Sequence, residues 1–171
     1  MLGGFAYGGL AFHLGHLASP YALALVVCTF AAAIDLRTYR IPNGLNAVGV
    51  AMALIWLSST DVTRVPDTLF AAGVVGGSLT LLSIGLAAWR GQVAFGMGDV
   101  KLLVVMALFF GWAAVGMLYI AIVLCAVAGL VLRLTKRLHK GDRLPFAPFI
   151  ALSCVAHGLG IRPEQLLMHY G

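Results

Sequence analysis

Charge is what these 171 residues have least of: 11 Lys and Arg with 6 Asp and Glu make up only 10% of the chain, against about a quarter in a soluble domain. With 61% of residues hydrophobic, the scarcity excludes an ordinary solvated surface and leaves lipid as the surrounding medium. Cysteine is nearly absent too. Cys28, Cys125 and Cys154 stand apart, each inside an apolar run with no C-x-x-C pair, which excludes a disulfide framework or a zinc site and reads as three small buried apolar residues. The first 36 residues hold no Lys or Arg, so the basic n-region of a cleavable secretory signal is missing. No soluble linker or low-complexity tract breaks the chain. A net charge of +5 would suggest nucleic acid in a soluble protein, but the basic residues fall between apolar segments rather than on one face. They read as topology determinants, with membrane lipid rather than nucleic acid as the partner.

What is present is a series of apolar runs divided by short breaks. At roughly 20 residues per crossing, the runs predict six transmembrane helices, at about 20–36, 44–58, 68–89, 98–111, 114–134 and 145–160. The fold class is therefore an all-α integral membrane protein, one polytopic domain over 1–171. Residues 1–18, apolar and glycine-rich, read equally as an interfacial helix or an extension of the first crossing. Ser19-Pro20 offers an N-cap with proline at the first helical position, Asn43 a cap after Pro42, and Asp67 a cap after Pro66. Of the 21 glycines, Gly73, Gly77 and Gly85 have a spacing that suits close helix packing in lipid.

The basic residues test this division independently. With the first helix running outside to inside, Arg37, Arg40, Arg90, Lys101, Arg133, Lys136, Arg137, Lys140 and Arg143 fall inside, and only Arg64 and Arg162 outside. Such an asymmetry is expected from the positive-inside rule and predicts both termini outside the cytoplasm.

Four of the six acids have ordinary solvated or capping readings: Asp61, Asp67, Asp142 and Glu164. Asp35 and Asp99 do not. Asp35 ends the first run in "AAAIDLRTYRIPN" and Asp99 opens the fourth in "GMGDVKLL". A helix ending inside and a helix starting inside place both carboxylates at one depth. A charge at the centre of a membrane helix costs at least about 2.5 kcal/mol and marks a functional site by default. Either aspartate taken alone could be an interfacial charge snorkelling to water; two at matched depth suit an aspartic hydrolase. One carboxylate activates water as base, and the other, protonated, polarises the scissile carbonyl and supplies the leaving amine with a proton. The helix ends suggest Asp99, near an N-terminus, as the base and Asp35, near a C-terminus, as the acid. Gly96 and Gly98 would let an extended peptide or the partner helix approach Asp99 closely. Lys101, two residues on, points to a different helix face and reads as a snorkelling charge, with a role in orienting substrate or lipid left open.

These motifs resemble the type IV prepilin peptidases, integral-membrane aspartic proteases of the G-x-G-D kind. The matching residues are Asp35 with "RIPN" at 40–43, "GMGDVKLL" at 96–103 and "LPFAPFIAL" at 144–152. The resemblance implies that Asp35 and Asp99 are the catalytic pair of an endopeptidase in the inner membrane. It also implies a substrate: a pilin-like precursor whose short polar leader is cut at the cytoplasmic face, before a long apolar helix. Pro42 and Asn43 would turn the chain beside the site, and Pro145 and Pro148 would shape the start of the sixth helix. The longer members carry a C-x-x-C region and also methylate the new N-terminus. Without that region here, a peptidase-only short form with no methyltransferase activity is expected.

The rival reading is a proton-coupled transporter or channel using the paired aspartates. No cofactor or metal is expected: His13, His16, His139, His157 and His169 are scattered and read as interfacial or packed side chains.

Overall fold

In the computed structural model every interval between those breaks is a helix. The described residues are 19–60, 62–90, 96–137, 144–161 and 163. Helix α1 spans Pro20–Thr38 and α2 Asn43–Thr60; the 3-10 turn Val62–Arg64 leads into α3, Val65–Arg90; α4 spans Met97–Phe110, α5 Ala113–Leu134 and α6 Ala147–Gly158. No strand occurs among the described residues, and the all-α membrane architecture read from the sequence is the one observed. Helices α1 and α5 and the run Val62–Trp89 are long and apolar enough to cross a membrane by length and composition. The 12 residues of α6 form a shorter apolar helix. With 14 residues, α4 is only about 21 Å long, short of a bilayer core of about 30 Å. Residues 1–18, Asp61, Lys140, Asp142, Arg143, Arg162, Glu164, His139 and His169 lie outside the described residues.

The starts of the helices differ from the expected caps. Pro20 does occupy the first turn of α1, but the Ser19 hydroxyl makes no capping bond. Asn43 is already helical: the Pro42 carbonyl accepts the N–H groups of Leu45 and Asn46 at 3.1 and 3.4 Å, so Pro42 is the capping position. Asp67 likewise lies in the first turn of α3, which begins at Val65. There its carboxylate complements the positive end of the helix dipole.

Contacts fix the direction of each helix. Ile41 meets Gly98, Asn43 meets Lys101 and Gly49 meets Val105, a nearly constant offset, so α2 and α4 run parallel and side by side. Gly76 against Val104 and Thr68 against Gly111 make α3 antiparallel to α4. Asp35 against Ala147 and Tyr21 against His157 make α6 antiparallel to α1. Around these pairs α4 is the hub, packed against all five other helices and buried at Leu102, Leu103, Val105, Met106 and Ala107.

The bundle's outer faces are as apolar as its interior. Phe30, Ile55, Phe70, Leu81 and Leu130 are exposed, while Asp35, Asn46, Thr68, Ser83, Ser153 and His157 are buried. This distribution suits lipid, where outward apolar side chains cost nothing and polar groups turn inward. Small residues let the helices approach. Gly49 faces Val105 and Val27, and Gly76 faces Val104, each too closely for an added Cβ. Gly73, Gly77 and Gly85, the glycines singled out in the sequence, have nothing within 4 Å of such a Cβ. Helix contacts within the chain are made at other glycines.

Candidate active site

Two helix ends and one turn meet at the end of the bundle where α1 finishes and α4 and α6 begin. Asp35 lies in the last turn of α1, its backbone carbonyl accepting the N–H of Tyr39 at 2.9 Å. Tyr39 adopts the left-handed conformation, with φ 53°, and turns the chain sharply into Arg40-Ile41-Pro42. Because the polypeptide reverses there, the Asp35 side chain is retained in the bundle and is only 5% exposed. Its Oδ2 accepts the backbone N–H of Ala147 at 3.1 Å. Ala147 is the first residue of α6, so Asp35 takes up one of the unmatched donors that every helix N-terminus presents.

Asp99 occupies the third position of α4, whose N-cap is Gly96. From there its half-buried carboxyl folds back over the cap, drawing on the Gly96 backbone N–H in the manner of a capping-box side chain. A Cβ on Gly96 would lie 3.0 Å from Asp99 Oδ2. Gly98 has a different neighbour: a Cβ there would come within 3.1 Å of Ile41 Cβ. Its missing side chain seats the α1–α2 turn on α4, so the close approach expected at Gly98 is made by this chain's own turn.

The structure therefore brings Asp35 and Asp99 to the same end of the bundle, where the turn that follows Asp35 packs through Ile41 on Gly98, next to Asp99, although 64 residues separate them in sequence. The helix-end argument that distinguished their roles does not survive. Asp35 lies in the last turn of α1 but also accepts from the N-terminus of α6, so both carboxyls sit at helix N-termini and the helix ends no longer tell them apart.

The pair is recessed. By the Gly76–Val104 register, Asp99 stands level with Leu81, and α3 continues nine residues further to Arg90, about 13 Å of helix. The remaining sequence-derived positions lie alongside. The Lys101 ammonium donates to Asn43 Oδ1 at 2.7 Å on the exposed side of the α2–α4 seam, and Pro42 caps α2 beside it. Lys101 thus bridges two helices, on a different face from Asp99 as the spacing predicts.

Three contributors escaped the sequence reading. The Ala147 N–H is a backbone group far along the chain with no side-chain signal. Cys125, read as a buried apolar residue, is only half-buried on α5. Asn46, inside the "NGLNAVG" start of α2, is 4% exposed and neither of its amide atoms has a hydrogen-bond partner. At the opposite end of the bundle His157 is a packed histidine, its Nδ1 2.9 Å from the Tyr21 hydroxyl. Among the described residues no group of three or more His, Cys, Asp and Glu is placed to hold a metal ion.

Residues 22–133 match the type IV leader peptidase family. The chain is 30% identical over 173 residues to a Burkholderia pseudomallei protein named prepilin leader peptidase/N-methyltransferase, covering 97% of this chain and 54% of that protein. Proteins of the same name from Dickeya chrysanthemi (32% over 158 residues, 85% of this chain and 54% of the relative) and Pectobacterium carotovorum (31% over 144 residues, 77% and 49%) are similar to it as well. The chain spans about half the length of these relatives. No solved structure matches it. A matched region that runs through both aspartates, in a helical membrane bundle that brings them together, leads to one conclusion: this chain belongs to the type IV leader peptidase family.

Proposed function

We propose that the protein is an aspartic endopeptidase of the inner membrane, multi-pass with both termini outside the cytoplasm, that removes the short leader of a pilin-like precursor at the cytoplasmic face. What supports this reading is that Asp35 and Asp99 stand recessed at the same end of the bundle, the turn after Asp35 packed on Gly98 beside Asp99. In this reading the pair works with one carboxyl ionised and the other protonated. The ionised member takes a proton from water as the oxygen attacks the scissile carbonyl carbon; the protonated member donates to the carbonyl oxygen. Collapse of the tetrahedral species breaks the C–N bond as the amine leaves with the proton taken from water and a hydroxyl of the diol returns its proton to the other carboxylate, restoring the singly protonated pair. The proton belongs to the pair rather than to an assigned residue.

The recess matches a scissile bond where a polar leader meets an apolar helix. The leader occupies the space flanked by the far ends of α3 and α5, and the helix extends into lipid. The methyl transfer in the relatives' name is not part of this reading.

The test is incubation of membranes carrying the protein with a precursor that has a short polar leader ending in glycine before an apolar helix. Cleavage is expected to survive EDTA and to fall at least about a thousandfold in both Asp35→Asn and Asp99→Asn, as for loss of an essential acid or base. Wild-type rates in either variant would refute the dyad. Proton flux that depends on both residues without cleavage would make the protein a transporter.

A further inference from the structure

Lys101 is a charge held in place without a counter-charge. Its ammonium has three N–H donors, and one of them goes to Asn43 Oδ1 at 2.7 Å. That bond engages the only acceptor the two side chains possess, the Asn43 amide carbonyl. Among the described residues no carboxylate pairs with Lys101, and neither side chain has a further partner. Two ammonium protons and the amide NH2 group remain, so the pair presents donors only, the chemistry of an anion site.

Beside this pair the surface is concave. A groove of about 230 Å³ has Asn43 and Lys101 at its head, where α2 begins, and Ala47, Val50 and Val104 as its walls further along. Ala47 is exposed and Val50 and Val104 are half-buried, so the groove opens outward, on a helix whose Val48 and Ile55 also face out. From Asn43 to Val50 is about 10 Å of helix. Spread over that length the volume makes a channel roughly 20 Å² in section, far narrower than a helix about 10–12 Å across. It is the width of a single hydrocarbon chain.

We propose that this groove binds one anionic phospholipid, with its phosphate on the Lys101 ammonium and the Asn43 amide and one acyl chain along Ala47, Val50 and Val104. The inference is independent of the peptidase reading, because Asp99 lies on another face of α4. A lysine near the edge of a membrane ordinarily snorkels to water. Lys101 is instead tied to the neighbouring helix, which fixes its charge at the mouth of an apolar channel, and basic pockets between transmembrane helices are where anionic headgroups bind. An apolar helix, from a substrate or from a second copy of this chain, is too wide for the channel and brings no anion to its head. A zwitterionic headgroup carries its own cation toward the ammonium. Because phosphate and chain touch both helices, the bound lipid holds α2 against α4 and stabilises the fold by mass action.

The test uses the full chain, purified in an uncharged detergent and stripped of lipid. Its thermal midpoint is followed against added phosphatidylglycerol, phosphatidylcholine with the same acyl chains, and glycerol 3-phosphate, which has the phosphate without the chains. Phosphatidylglycerol is expected to raise the midpoint saturably. The same gain should need at least about tenfold more phosphatidylcholine, the scale of one hydrogen bond to a charged group, and glycerol 3-phosphate should give none. In Lys101→Gln the two lipids should act alike. Ala47→Trp fills the channel and leaves the Lys101–Asn43 bond in place; it should need at least about tenfold more phosphatidylglycerol than wild type, and it decides the matter if Lys101→Gln fails to fold. Equal protection of the wild type by both lipids, or a full gain from glycerol 3-phosphate, would overturn the proposal. So would selectivity undiminished in either folded variant, which would put the anion elsewhere, as at Arg133, Lys136 and Arg137, exposed at the end of α5.

Discussion

Gly96 and Gly98 look interchangeable in "GMGD", and their surroundings make them different. An added methyl at Gly96 would press on the Asp99 carboxylate oxygen from 3.0 Å, at a position otherwise exposed. Gly96→Ala is therefore expected to reduce cleavage at least about tenfold, since displacing a catalytic group by as little as about 1 Å carries large rate penalties, with a thermal midpoint close to wild type. At Gly98 the neighbour is Ile41, on the turn that closes the site. Gly98→Val should lower stability by about 1–3 kcal/mol, the usual cost of overpacking, visible as a lower midpoint in detergent, with activity lost along with the fold. If both variants behaved alike in the two measurements, the distinct contacts assigned to them would be wrong.

At the scale of helices, the α4–α5 corner separates stability from chemistry. Gly111 has φ 60° and ψ −133°, a conformation that costs a side-chain-bearing residue about 1–3 kcal/mol. It lies across the bundle from the aspartates. Gly111→Ala is expected to depress the thermal midpoint while leaving cleavage at low temperature within about twofold of wild type, since backbone strain of that size acts on folding rather than on a distant site. Loss of activity at temperatures where the variant is folded would show that the corner and the site are coupled.

Much of this element layout was legible beforehand because each break carries a local signal: Pro20, Pro42, Pro66, Gly96 and Gly111 cannot sit comfortably inside a helix. What sequence could not convey is which unmatched group answers which. Asn43 reads as a cap by type, but its amide carbonyl is taken by Lys101 from another helix. The role assignment for Asp35 failed for the same reason. It used the helix that Asp35 belongs to, and the decisive N–H comes from Ala147, 112 residues away. Asn46 gave no signal at all, because a single polar residue near a helix start is ordinary until its burial is known.

For the molecule as a whole, alternating helix directions and charge lead to the same orientation. The antiparallel pairs α1–α6 and α3–α4, the parallel pair α2–α4 and the return of α5 from α4 through the Gly111-Trp112 corner place Arg37, Lys101, Arg133, Lys136 and Arg137 toward the end that holds the aspartates, and Arg64 at the other. Positive charge resists translocation, so the aspartate end is expected to face the cytoplasm. Among the described residues the outward faces of the helices are largely apolar. The measurement is accessibility to a membrane-impermeant thiol reagent in a variant whose three native cysteines are replaced by serine. A single cysteine at Val62, exposed beside Arg64, should be labelled on intact spheroplasts; one at Lys136, exposed past the end of α5, only after the membrane is permeabilised. The reverse pattern would put Asp35 and Asp99 on the outer side, where a precursor held with its polar leader in the cytoplasm could not reach them. It would therefore overturn the cytoplasmic cleavage reading even if both aspartates proved essential.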